Sequence, residues 1–278
     1  MMQSIVLGAS PCALNERCRF ARCMVRLDSN GIPILSRAEI ELRAERFLGF
    51  FDEECLKEPL STPLRDMSRR LQDEFGLRFV FNAQLGKSPE GYGYRGRFHI
   101  RSRTILVDQS LPPGEPRFNF TLAHEMAHFV LHRNVKQSVL TTEKDLEISD
   151  TARDLVLDHL ESDNPRTWLE WQANKFASSL LLPRFTTPKG VIQKQRELGI
   201  IRNVGTIFLD RQRRNYQDFR EILRHLERVF NVSQAAIRIR LRELNLLIET
   251  ELDDRREGSE PEPIRDVLGR AIELLDEE

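Results

Sequence analysis

The chain has 278 residues, 40% of them hydrophobic, and its 42 lysines and arginines nearly balance 43 aspartates and glutamates for a net charge of −1 at pH 7. That is enough chain for one substantial core and a smaller module, and its balance gives no general attraction to nucleic acid or to an anionic membrane. Apolar runs such as residues 180–182 fall far short of the roughly 20 residues a membrane span needs, and the opening residues carry no basic region ahead of their short apolar patch, so the expectation is a cytoplasmic protein without a membrane partner.

Residues 1–35 show no clear period and read as an irregular N-terminal extension, with a turn at Asn30, Gly31 and Pro33. Three of the four cysteines, Cys12, Cys18 and Cys23, lie there and the fourth is Cys55; lacking CxxC spacing or nearby histidines, they read as reduced thiols. Ser36 and Glu39 fit a capping box, which predicts a helix running to Phe51. Leu64, Met67, Leu71 and Phe75 recur at helical spacing after Thr62 and Pro63, and Gly76 stops that second helix. Residues 77–83, 91–100 and 104–109 are rich in aromatic and β-branched side chains and predict a small, mainly antiparallel sheet. An edge of the strand pair near 92–107 is expected to accept an extended peptide as an added strand.

Two helices are predicted next, over 118–133 and 166–182, separated by a polar, acidic insertion at 134–163 read as a loop with a short helix near 150–160. Residues 221–230 and 234–249 then read as two tightly joined helices, with Ser233 capping the second, a helix-turn-helix-like arrangement. A charged linker and an amphipathic helix end the sequence. The expected organisation is therefore an extension (1–35), a main domain carrying the insertion (36–190), a helical module (191–250) and a linker with its helix (251–278). The fold class is α+β.

The chemistry concentrates in FTLAHEMAHFVLH, where three of the six histidines fall within residues 124–132. His124 and His128 stand four apart on one helix face, the spacing at which two imidazoles share a metal ion. Glu125, about 100° around the axis, reaches water at that metal without being a ligand. A catalytic zinc takes a third protein ligand and keeps a fourth position open. His132 lies over about 10 Å along the axis from His124, too far to close the set; it reads either as a neighbour of the ligands or as a helix-end histidine.

Glu170 is the better third ligand, because Ala173 and Ala177 on nearly the same face let its helix approach closely. Asn174 shares that face and can accept a hydrogen bond from a ligating imidazole, although it also reads as an ordinary helix polar residue. One zinc per chain is expected. The same donors suit non-haem iron, but a glutamate between the two histidines has no role in an iron site. The reaction implied is hydrolysis of a peptide bond with Glu125 as general base. His159, Tyr216 and His225 are unranked candidates to stabilise the oxyanion.

Arg117, Phe120, Thr121, Ala123 and HEMAH, followed by Glu170, Ala173, Asn174, Phe176, Ala177, Leu180, Leu181 and Pro183, resemble the two signature blocks of the ImmA/IrrE zinc metallo-endopeptidases. Phe230, Val232, Ser233, Arg240, Leu241 and Leu244 are similar to the family's usual continuation. The resemblance implies a zincin-like domain, zinc on His124, His128 and Glu170, and Glu125 as the catalytic residue. It further implies a cytosolic, site-specific endopeptidase that inactivates a helix-turn-helix (XRE-type) repressor in a stress, mobile-element or phage-defence response. Asn119 stands where the family often has a basic residue, Ala127 where it often has glycine, and the interval from His128 to Glu170 is longer than the family's.

Two competing readings keep the same domain. One is a DNA-binding transcriptional regulator, resting on Arg238, Arg240 and Arg242, although Ile237, Leu241, Leu244 and Ile248 explain that helix better as a packed one. The other is a toxin–antitoxin component. Single-stranded DNA as an activator needs only a modest basic groove.

Overall fold

The structure is a computed structural model that describes residues 26–29, 31–87, 93–133, 135, 147–151 and 165–250. Residues 1–25, nearly all of the expected helix near 150–160, His159 and the C-terminal linker and helix therefore lie outside the described residues.

Helix α1 (Arg37–Phe51) starts at the predicted box: Ser36 Oγ accepts from the Glu39 N–H at 3.3 Å, and the Glu39 carboxylate accepts from the Ser36 N–H at 2.8 Å. Its buried face is Ile40, Ala44, Phe47 and Leu48. Helix α2 (Leu64–Phe75) ends on Gly76, whose φ of 65° is the left-handed conformation that releases a chain from a helix. Strands β1 (Arg78–Ala83), β2 (Tyr94–His99) and β3 (Thr104–Asp108) follow as predicted. Phe98, Ile105 and Val107 point from β2 and β3 into the core, in register across the ladder with Gly96.

The sheet has the order β1-β3-β2-β4, with β1 parallel to β3 and both pairings of β2 antiparallel. Its fourth strand, β4 (Glu147–Thr151), comes from the acidic insertion and corrects the reading of that stretch as a loop. Polar residues without an apolar alternation gave no signal for a strand there. The consequence reaches the substrate expectation: β4 pairs along β2 from Tyr94 to His99, so the β2 edge is already occupied.

Helix α3 (Pro116–Leu131) packs against β2 and β3, and helix α4 (Pro165–Leu181) packs on α3 and α1. Ala173 and Ala177 on α4 are wholly buried, as the small-residue face predicted, and so are Ala123 and Ala127 on α3. Helix α5 (Thr186–Glu197), strand β5 (Ile207–Leu209), helix α6 (Arg213–Phe230), helix α7 (Gln234–Glu243) and strand β6 (Leu247–Glu249) complete the described chain. Ser233 caps α7 through the Ala236 N–H. The helix stops earlier than predicted because Asn245 turns into the left-handed region at φ 56°, and Leu247–Glu249 then pairs in parallel with β5.

One apolar cluster runs without a break from α1 through the sheet, α3 and α4 to α6 and α7. A smaller one, Ile32, Val135 and Leu169, holds the segment before α1 against the end of α3 and the start of α4. Residues 26–29 and 31–35 thus form a turn closed by a Leu27–Pro33 bridge, with Gly31 at φ 79°, at the end of the segment read as an irregular extension. Among the described residues no helix is long and apolar enough to cross a membrane.

Candidate metal centre

Helix α3 is apolar on most of its surface, and the imidazoles of His124 and His128 project from it into a space closed by α4. Both are 0% exposed, and Glu170 on α4 is 1% exposed. His124 Nε2 lies 3.0 Å from His128 Nε2 and 3.1 Å from Glu170 Oε2, and His128 Nε2 lies 3.5 Å from the same oxygen. Ligands of a tetrahedral zinc with bonds of about 2.0–2.1 Å stand about 3.3 Å apart. Three donor atoms therefore converge at the mutual spacing a metal imposes. Glu170 Oε1 is also buried, with no hydrogen-bond partner among the described residues. An unpaired buried carboxylate oxygen costs free energy that a cation removes. These three buried side chains can hold a metal ion, and their nitrogen and oxygen donors fit zinc.

The neighbours of the ligands are equally defined. Asn174 Oδ1 lies 2.8 Å from His124 Nδ1, so the face shared with Glu170 brings Asn174 onto a candidate ligand. His132 is the C-cap of α3, and its Nδ1 lies 2.8 Å from Nδ1 of His128, on the side away from the converging donors. It touches a candidate ligand and is not one of the three.

Glu125 is fully buried beneath β2. A methyl group built on Gly96 would stand 2.1 Å from Glu125 Oε1 and 2.8 Å from Thr121 Cγ2. Only glycine leaves room for the carboxylate at this crossing of strand over helix. Sequence reasoning passed over Gly96; its one signal is a glycine inside a strand pattern, which marks close approach of another group. Gln172 was also passed over. It is fully buried and bonds to His132, yet it lies about 200° around α4 from Glu170, off the face that drew attention.

Of the oxyanion candidates among the described residues, neither His225 nor Tyr216 is brought here. His225 on α6 is held below its ordinary pKa by burial and has Glu197 and Lys194 of α5 near it, while Tyr216 is half-exposed under Arg220. The three arginines of α7 are also engaged. Arg238 and Arg242 both bind the carboxylate of Glu249, and buried Arg240 donates to the Leu182 carbonyl at 2.9 Å and to Glu41. None of these contacts leaves a row of guanidinium groups for phosphates.

Residues 72–188 match the family model of the Peptidase M78, IrrE N-terminal-like domain. No curated protein matches the chain. Among solved structures, a Mycobacterium tuberculosis transcriptional regulator is similar at 18% identity and a TM-score of 0.43; the likeness covers 79% of this chain, which spans 49% of that protein.

Proposed function

We propose, from the match of residues 72–188 to the Peptidase M78, IrrE N-terminal-like family model, that the protein is a zinc-dependent endopeptidase that cleaves and inactivates a regulatory protein, a helix-turn-helix repressor. The observation that carries the reading is the buried convergence of His124, His128 and Glu170 beside a buried glutamate one residue along from the first ligand. His124, His128 and Glu170 hold the metal, and Glu125 is the general base.

When bound, zinc supplies Lewis acidity, polarising a peptide carbonyl and making water a stronger acid. The residues of the chain do the rest. The Glu125 carboxylate accepts the proton of the attacking water and returns it to the departing amide nitrogen, so one group serves as base and then as acid. Gly96 lets β2 cross directly over that carboxylate and keeps bulk water from it. The Asn174 side chain fixes the ring of His124.

The experiment measures bound zinc in the purified protein and, in the same cells, truncation of a co-expressed helix-turn-helix repressor encoded beside it, with and without single-stranded DNA. Wild type is expected to carry one zinc and to give a single shortened repressor. Glu125→Gln keeps the zinc and leaves the repressor intact, while Glu170→Ala loses the zinc. A wild-type protein without stoichiometric zinc, or equal truncation by Glu125→Gln, sinks the reading.

A further inference from the structure

Beyond the three ligands, a second line of buried contacts leads away from His128 and ends on the N-terminal turn. His128 Nδ1 lies 2.8 Å from His132 Nδ1, His132 Nε2 lies 3.2 Å from Gln172 Oε1, and Gln172 Nε2 donates to the Pro33 carbonyl at 2.7 Å. All three side chains are 0% exposed. They come from α3, its C-cap and α4, and the Pro33 carbonyl comes from a turn that lies outside the matched family region.

We propose that His132 and Gln172 are positioning residues for His128, and that the Pro33 carbonyl anchors this relay, making the N-terminal turn part of the metal centre. The proposal rests on the reading of His124, His128 and Glu170 as metal ligands, and hydrogen-bond chemistry then fixes every direction along the line. His128 turns Nε2 toward His124 and Glu170, so Nε2 is its ligand atom and carries no proton. A neutral imidazole ligating through Nε2 bears its proton on Nδ1, which donates to Nδ1 of His132. His132 accepts there with a lone pair, so its own proton is on Nε2 and donates to the Gln172 carbonyl oxygen. The amide of Gln172 is thereby held in one orientation. Turned over, it would set donor against donor at His132 and acceptor against acceptor at Pro33.

The far end of the relay is firmly seated. Ile32, 1% exposed, packs with Val135 and Leu169. Asp28 Oδ1 accepts from the Ile32 N–H at 2.8 Å, and the Ile34 N–H donates to the Arg26 carbonyl at 2.8 Å. The acceptor is a backbone atom, so its place depends on this turn alone. The two histidine ligands are thus oriented alike: each Nδ1–H ends on an amide oxygen, His124 directly on Asn174 and His128 by way of His132.

The test measures zinc dissociation constants by chelator competition in the full chain for wild type, His132→Phe, Gln172→Leu, the double variant and Ile32→Ala. It also takes the unfolding midpoint of each metal-free protein and the histidine 15N spectrum of the zinc-loaded wild type. Losing an outer partner of a metal ligand weakens affinity about 10- to 100-fold. His132→Phe and Gln172→Leu are each expected to do so, and the double variant to lose no more than the worse single, because both cut one line. Ile32→Ala is expected to weaken zinc severalfold in the wild-type background and not at all beside Gln172→Leu. His132→Gln, which keeps an acceptor for His128, recovers part of the loss and covers the case in which the Phe variant does not fold. The spectrum is expected to show His132 protonated on Nε2. The proposal is overturned by zinc affinities within twofold of wild type when only the unfolding midpoints fall, by additive losses in the double variant, or by His132 carrying its proton on Nδ1. Wild-type protein that binds no zinc at all overturns the proposed function instead, a result distinct from each of these.

Discussion

At the residue scale, Gly96 separates the requirements of folding from those of chemistry. A Cβ at Gly96 would strike Oε1 of Glu125 first, at 2.1 Å, and Cγ2 of Thr121 next, at 2.8 Å, so Gly96→Ala displaces the carboxylate and presses on the helix face beneath the strand. The backbone around it stays paired with β3 and β4. Under the proposed function the expected outcome is a turnover rate about 100-fold lower or more, the size of effect expected when a general base is displaced. Zinc content should be unchanged and the melting temperature should move by only a few degrees. Loss of zinc in Gly96→Ala would mean that the strand shifts and not the carboxylate. Cys55 makes the opposite point about a residue with chemical potential and no outlet. Burial, then the neighbouring Asp52 carboxylate, push its thiol up to about 12. At pH 8 its thiolate fraction is on the order of one in ten thousand. A thiol reagent should leave Cys55 unmodified in the folded protein and label it at once in denaturant; rapid labelling of the native state would contradict the burial.

At the element scale, β4 decides how a peptide reaches the site. The strand beside Glu125 is β2, and β4 pairs with it from Tyr94 to His99, with Asp150 opposite Gly96. An extended substrate that adds to β2 must displace β4, so under the proposed function the insertion lowers activity. Consecutive backbone N–H groups in a strand point to opposite edges. Ser149→Pro together with Asp150→Pro therefore removes whichever one faces β2, and proline is not tolerated in such a ladder. Peptide turnover is expected to rise severalfold with zinc content unchanged. A fall in turnover would mean that β4 is itself the rim on which the substrate lies. This element was also the least legible in the sequence. The capping box at Ser36, the stop at Gly76 and the alanine face of α4 are local signals, and each marked its helix correctly. Strand β4 has no local signal, because its pairing partner lies some fifty residues earlier in the chain. The early end of α7 depends likewise on β5, a strand found only in the tertiary fold. The candidate metal ligands were legible because H-E-x-x-H is a local pattern. Gln172 and the Pro33 carbonyl were not, since a relay between three elements leaves no period and a backbone acceptor leaves no residue type to recognise.

At the scale of the whole molecule, the question is whether the helical segment after α4 folds with the metal centre or apart from it. Apolar packing already joins them in one cluster, and charged contacts reinforce the seam. Arg240, only 4% exposed, reaches from α7 to the Leu182 carbonyl after α4, to Glu41 of α1 and to Glu243 of its own helix, while Lys175 of α4 pairs with Glu243. Removing one member of a buried ion pair strands its partner and costs about 3–5 kcal/mol. Glu41 and Glu243 keep some access to water, so Arg240→Ala is expected to cost nearer about 2–3 kcal/mol in guanidinium unfolding. Arg238→Ala and Arg242→Ala remove half-exposed partners of one carboxylate and should cost less than about 1 kcal/mol each. A shared core also predicts one transition, with the fluorescence of Trp168 and Trp171 on α4 and the far-UV helical signal, to which α6 contributes along with the other described helices, falling together. Arg240→Ala should lower the midpoint of both probes equally. Two separated transitions, or loss of part of the helical signal while the tryptophans keep their native emission, would show that α6 and α7 are an independent module and that Arg240 joins two domains instead of bracing one.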